Sequence, residues 1–182
     1  RLQNRVAIIT GAARGIGKAA TEVFCKEGAT VIIWDLLDLG EDTASNLRAQ
    51  GYACEFMKVS TTDVSGIESA TKEVFERFGK IDILINNASA ISLTPTEQTE
   101  AKRFDLMHSI NVRGTFLMTK ACIPHLRKGK NPHILTLSPP VNLKPKWLAG
   151  HIAYTLTKFN MSMMTLGWAE ELKKDGIAAN EL

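Results

Sequence analysis

Short apolar runs alternate along the chain with longer segments in which apolar residues recur at helical spacing. That is the pattern of a parallel sheet covered by helices on both faces. The runs predict strands over 6–10, 30–34, 54–59, 81–86 and 133–137, with a further candidate at 177–180. The segments between them predict helices over 17–27, 40–50, 64–78, 100–127 and 154–174. Asp63 is placed to cap the third helix, and Gly28, Gly51 and Gly79 are placed to end the first three. The order is doubly wound α/β, in which ligands bind beyond the carboxyl ends of the strands.

Composition narrows the class. At 182 residues, 45% hydrophobic, the chain can form one sizeable core, so a single domain over 1–182 is expected. A net charge of +3 comes from 22 basic and 19 acidic residues without a block of like charge. The densest basic patch, Arg127-Lys128-Gly129-Lys130, is short and reads as a solvated loop, so no nucleic-acid partner is implied. Cys25, Cys54 and Cys122 lack C-x-x-C spacing and sit in apolar stretches, which predicts buried thiols in a reducing compartment. With His108, His125, His133 and His151 scattered, no metal site is expected. No apolar run approaches transmembrane length and the N-terminus lacks a signal-peptide core, so the expectation is no membrane and a cytoplasmic location.

The candidate chemistry lies at the strand ends. Thr10-Gly11-Ala12-Ala13-Arg14-Gly15-Ile16-Gly17 joins the first strand to the first helix. Its glycines let the backbone turn sharply and approach a pyrophosphate, whose charge is favoured at a helix N-terminus. The G-x-x-x-G-x-G spacing differs from the G-x-G-x-x-G fingerprint and from the P-loop, and alone it also fits a connection without a ligand. Support comes from Val31-Ile32-Ile33-Trp34-Asp35, which ends in a carboxylate roughly twenty residues after the glycines, where a Rossmann unit binds a ribose hydroxyl. A nucleotide site follows from the two together.

Asn86-Asn87-Ala88-Ser89 ends the fourth strand, where the asparagines either shape the turn or form a wall of the cleft. Asn111 falls inside a predicted helix, where its amide competes for backbone bonds, so it either faces solvent or serves something local. Ser138 follows the fifth strand and precedes Pro139-Pro140, which stop it. Tyr154 and Lys158 are four residues apart, on one face of a helix. An ammonium beside a phenol lowers the phenol's pKa, as a general acid/base near neutral pH requires.

These motifs stand in the order in which the short-chain dehydrogenase/reductase family carries them, and the chain resembles that family over essentially its whole length. The resemblance implies a Rossmann-like, doubly wound parallel sheet and an oxidoreductase that moves a hydride between a nicotinamide cofactor and a secondary alcohol or ketone. It implies that Tyr154 exchanges a proton with the substrate oxygen, Lys158 binds the nicotinamide ribose and tunes the tyrosine, Ser138 orients the carbonyl and Asn111 supports a water relay. The implied cofactor residues are Gly11, Arg14, Gly15, Ile16, Gly17, Asp35, Leu36, Asn87 and Ala88, with Tyr154 and Lys158. Asp35 would accept the adenosine ribose hydroxyls and repel a 2′-phosphate, which favours NAD. Arg14 pulls toward NADP, because members using NADP often carry a basic residue there, while Leu36 supplies no second cation. In the family the two long helices pair across a twofold, which implies a homodimer or homotetramer. The apolar positions Met161, Met163, Met164, Leu166 and Trp168 fit either that surface or packing on the sheet.

Within the family, residues 1–88 look similar to bacterial 3-oxoacyl-carrier-protein reductases. The stretches 87–93, 120–124 and 138–143 look similar to the hydroxysteroid dehydrogenase-like protein 2 group, which leaves a chimaeric chain as one reading. Ser89 stands where the family usually has glycine, and Ser60-Thr61 where it has an Asp-Val pair that meets adenine. Relatives continue past the sixth strand with a Pro-Gly segment, a helical lid and a seventh strand, so these elements are expected to be truncated here. That motivates an alternative, a dinucleotide-binding scaffold without turnover. Segments 90–99 and 141–150 are expected to line the substrate pocket, with Leu143, Trp147 and Leu148 as apolar walls suited to a hydrophobic ketone or alcohol.

Overall fold

The computed structural model describes residues 1–139 and 142–182; Pro140 of the expected strand stop and Val141 of the expected pocket segment lie outside the described residues. Six strands, β1 (Val6–Thr10), β2 (Thr30–Asp35), β3 (Cys54–Lys58), β4 (Ile83–Asn86), β5 (His133–Thr136) and β6 (Ala178–Glu181), form one sheet in the order β3-β2-β1-β4-β5-β6. Every pairing is parallel, with Ile8 opposite Ile32 on one side and Leu84 on the other. β1 is buried at all five positions, which explains its unbroken apolar run: a strand covered on both faces has no polar side to show.

Alternation along β1 sends Ile8 and Ile9 to opposite faces. The Ile8 side packs with Ile32, Trp34 and Leu84 under α3 (Val64–Phe78), α5 (Thr115–Leu126) and α6 (Ile152–Glu171), whose Ile67, Met118, Leu126 and Trp168 complete that core. The Ile9 side packs with Val31, Ile33 and Ile85 under α1 (Gly15–Lys26) and α2 (Leu39–Ala49), through Cys25, Ala44 and Leu47. The strand order reverses between β1 and β4, so a crevice opens beyond their carboxyl ends.

Several expected boundaries shift. The helix expected over 100–127 is three pieces: α4 (Ala101–Met107), a π-helical segment His108–Gly114, and α5. The wider turn coincides with Asn111, a fully buried side chain bonded entirely outside its own helix. The expected strands 81–86, 54–59 and 133–137 are trimmed to the residues that find ladder partners, and the sixth moves to Ala178–Glu181. Asp63 occupies the N-cap of α3, but its carboxylate accepts from the Ser65 hydroxyl at 2.9 Å and makes no side-chain cap bond. Gly28, Gly51 and Gly79 follow their helices with positive φ, as expected of stops.

Candidate active site

The glycine turn is held by one hydroxyl and one amide. Thr10 Oγ1 donates to the Ile85 carbonyl at 3.2 Å and accepts the backbone N–H groups of Asn87 and Ala88 at 3.0 Å each. Asn87 Nδ2 donates to the carbonyls of Thr10 and Gly11 at 2.9 Å each. This stitching brings β4 so close to the turn that a Cβ on Gly17 would lie 2.5 Å from Asn87 Nδ2 and from the Gly11 carbonyl oxygen. Asn87 therefore both shapes the turn and lines the cleft. Thr10 was not singled out as a site residue by the sequence, although its place directly before Gly11 is the signal that could have found it.

Gly15 differs from its neighbours. It has φ +59°, and a Cβ built on it meets nothing within 4 Å, so this backbone borders open space at the start of α1. That opening, beside a helix N-terminus with no side-chain cap, fits a phosphate group. Asp35 closes the other side. Its Oδ2 accepts the Ala13 N–H at 2.9 Å and its Oδ1 the Leu37 N–H at 3.1 Å, which fixes the carboxylate at the cleft edge with lone pairs to spare for hydroxyl donors.

Gly11, Arg14, Gly15, Ile16, Asp35, Leu36, Asn87, Ala88, Tyr154 and Lys158 line one cleft, joined by Trp34, Thr61, Ser89, Ile91 and Ile110. Gly17, Asn111 and Ser138 do not line it. Gly17 lies buried beneath the turn. Asn111 serves something local: its Oδ1 accepts the Ala90 N–H at 2.7 Å, while Nδ2 donates to the Ala90 carbonyl at 2.8 Å and to Thr157 Oγ1 at 2.9 Å. It rivets the segment after β4 to α6. Ser138 is buried and donates to Glu181 Oε2 at 3.0 Å, an arrangement that depends on a β6 residue the sequence reading had not connected to it.

The pairing expected of Tyr154 and Lys158 takes a different form. Both reach the cleft from α6, but Lys158 Nζ donates to the Leu137 carbonyl at the end of β5. Burial pushes this ammonium down to about 8. The Tyr154 phenol is held above its ordinary range by burial, with the Ser89 hydroxyl pulling the other way. The expected lowering by the lysine is thus not what the structure has, because a buried ammonium takes the nearest strong acceptor. The expected apolar walls also differ: Leu143 and Trp147 are exposed, with Lys146 Nζ 4.8 Å from the centre of the Trp147 ring. Among the described residues of the expected pocket segments, Ile91 is the one that reaches the cleft. Among the described residues no cluster of potential ligands could hold a metal ion, and no helix is long and apolar enough to cross a membrane.

A glycine cradle at the point where a parallel sheet reverses, facing a helical tyrosine and lysine, defines a fold of the Rossmann type. The profile of the short chain dehydrogenase family matches residues 5–182, and the chain belongs to that family. It is similar to hydroxysteroid dehydrogenase-like protein 2 of Rattus norvegicus, with 48% identity over 190 residues that take in 100% of this chain and 36% of the relative. The Homo sapiens protein of the same name is 46% identical over 100% of this chain and 45% of its own length. The chain thus spans less than half of these curated relatives. One group of relatives accounts for both halves of the chain, so two sources are not required. Among solved structures, a short chain dehydrogenase from Mycobacterium thermoresistibile superposes with a TM-score of 0.94 at 38% identity, over 100% of this chain and 67% of that one.

Proposed function

We propose that the chain binds NAD(H) in this cleft and interconverts a secondary alcohol and a ketone, with Tyr154 as the general acid/base. The observation that carries the reading is that Tyr154 and Lys158 open into the same cleft as the glycine turn and Asp35. When bound, a nicotinamide cofactor supplies the hydride or accepts it. Gly11, Gly15 and the start of α1 would hold the pyrophosphate, and Asp35 the adenosine ribose, with Ile16, Leu36, Asn87 and Ala88 forming the walls. Arg14, at the N-cap of α1 and on the cleft wall, leaves room for NADP. Lys158 would hold the nicotinamide ribose, and Asn111 orders the loop above it. The phenol of Tyr154, protonated at neutral pH, gives its proton to the carbonyl oxygen in reduction and recovers it in oxidation.

Ile91, Ile110 and Leu137 on the cleft wall suit a hydrophobic substrate, in keeping with the relatives' name, hydroxysteroid dehydrogenase-like. Exposed Met163 and Leu166 on α6 and Phe116 on α5 support assembly into a homodimer or homotetramer through those helices.

The test is a titration with NADH and separately with NADPH, read by tryptophan fluorescence, since Trp34 lies on the cleft. We expect NADH to bind more tightly. Tyr154→Phe should then reduce turnover of a hydrophobic ketone by about 100-fold or more while NADH binding stays within about twofold. Turnover that survives the substitution rejects the assigned mechanism; NADH binding without turnover in the parent chain favours a scaffold.

A further inference from the structure

The cleft runs across the carboxyl ends of the strands, from Leu137 and Lys158 on the β5 side to Val59 and Thr61 on the β3 side. Tyr154 belongs to the first end, on α6 with Lys158. The second end lies past Asp35, and its wall is the loop 59–63 between β3 and α3. Bonds inside that loop set its shape. Ser60 Oγ lies 2.9 Å from Thr62 Oγ1 and accepts the Thr62 N–H at 3.3 Å, and the Ser60 carbonyl accepts the Asp63 N–H at 3.2 Å. Thr61 is left on the cleft wall without a side-chain hydrogen bond among the described residues. Its hydroxyl can accept a proton donor or serve as one.

The place of the loop is set from outside it. On the sheet side, Val59 N–H donates to the Asp35 carbonyl at 3.1 Å. On the helix side, the contacts come from the π-helical segment. Arg113 Nη1 donates to the Thr62 carbonyl at 3.0 Å, its one side-chain hydrogen bond among the described residues. Gly114, the next residue, is buried against the loop: a Cβ there would lie 3.0 Å from Thr61 Cβ and Oγ1 and 3.1 Å from the Thr61 carbonyl oxygen. The segment is itself fixed, since Asn111 ties it to Ala90 and to Thr157 on α6. Arg113 is exposed and does not line the cleft, so it acts on the cleft only through the loop. A hydrogen bond from an ionised donor is among the stronger kinds, and this one joins elements 51 positions apart.

We propose that Arg113 is a positioning residue for the adenosine end of the cofactor: through the Thr62 carbonyl it holds Thr61 on the cleft wall that faces the base. The proposal rests on the reading of this cleft as an NAD(H) site. Without the guanidinium, the loop keeps its internal turn and its link to Asp35 but loses its anchor at Thr62, so Thr61 is no longer held in one place. Binding of the adenosine half then weakens, while Asn111 keeps its own bonds near the Tyr154 end.

ADP-ribose, which carries the adenosine end and lacks nicotinamide, is the probe. It is titrated by calorimetry into the parent chain, Arg113→Ala, Arg113→Lys, Thr61→Ala and the Arg113→Ala, Thr61→Ala double variant. The dissociation constant of Arg113→Ala should rise about threefold to tenfold, with NADH weakened by a similar factor. Arg113→Lys, which retains a cationic donor, should stay within about twofold of the parent. Because Arg113 works through Thr61, the double variant should bind no more than about twofold more weakly than the weaker single variant. Losses that instead multiply in the double variant overturn the proposal, as would be found if the arginine acted only by its charge. Equal losses in Arg113→Lys and Arg113→Ala overturn it as well. A parent chain that binds neither ADP-ribose nor NADH overturns the nucleotide reading and this proposal with it. Parent binding that Arg113→Ala leaves within about twofold overturns the role of Arg113 alone.

Discussion

Lys158 shows how one side chain can shape the response of the protein to pH. The residue is 7% exposed, and burial lowers its folded-state pKa to about 8 from 10.5. Below about pH 8 both folded and unfolded chains hold the proton, and burial of the charge costs stability. Between about 8 and 10.5 the unfolded chain binds more protons, so stability rises with pH by up to about 1 kcal/mol per unit from this residue. Urea unfolding at pH 7.5, 8.5 and 9.5 should show that rise, and Lys158→Met should flatten it. A slope unchanged by the substitution would mean that another group carries it. The position of Lys158 was legible from its spacing to Tyr154, but its partner was not: the Leu137 carbonyl is a backbone atom brought in by the fold. Asn111 was legible as an oddity in a helix, while Ala90, 21 positions earlier, could be found only once β4 and α6 were in place.

Among the elements, the turn from β1 into α1 tolerates least. A Cβ on Gly17 would come within 2.5 Å of the Gly11 carbonyl and 2.8 Å of Ala12 Cα, both backbone and unable to swing away. Gly17→Ala should therefore lower stability by about 1–3 kcal/mol and weaken NADH binding, since relief requires the cradle to open. A thermal melt and the fluorescence titration measure the two effects; loss of stability with full NADH affinity would show that the strain relaxes elsewhere. The elements themselves were readable because burial imposes a period of two or of 3.6. Their ends were not, because a strand stops where its neighbour does: Ile81 is fully buried, yet the ladder begins at Ile83. The π-helical segment was hidden for a related reason. Met107 and Met118 on either side both face the interior, so the apolar pattern runs on as if the helix were regular.

For the molecule as a whole, the cleft gathers residues from seven separated segments, and the order of the motifs along the chain made much of that gathering readable in advance. Gly17, Asn111 and Ser138 stay off the cleft, and the direction of Ser138 is set by Glu181, 43 residues later, with no earlier clue to its reach. Assembly belongs to the same scale. The exposed apolar side chains of α5 and α6 predict a mass by light scattering of at least twice that of one chain at micromolar concentration, and Leu166→Glu should shift the population toward single chains. A parent chain already single under those conditions would refute the interface. A further consequence comes from the contact between Asn111 and Ala90. The segment after β4 has no regular secondary structure and borders solvent, and such loops ordinarily trade their amide hydrogens with water quickly. The Ala90 hydrogen, however, points at the side-chain oxygen of a fully buried asparagine, and the same asparagine holds the Ala90 carbonyl, so the loop must part from the π-helical segment before water reaches it. In heavy water it would exchange more slowly than its neighbours along the same loop, making one atom of a surface segment a clock for the loop's departure from the helix beneath it.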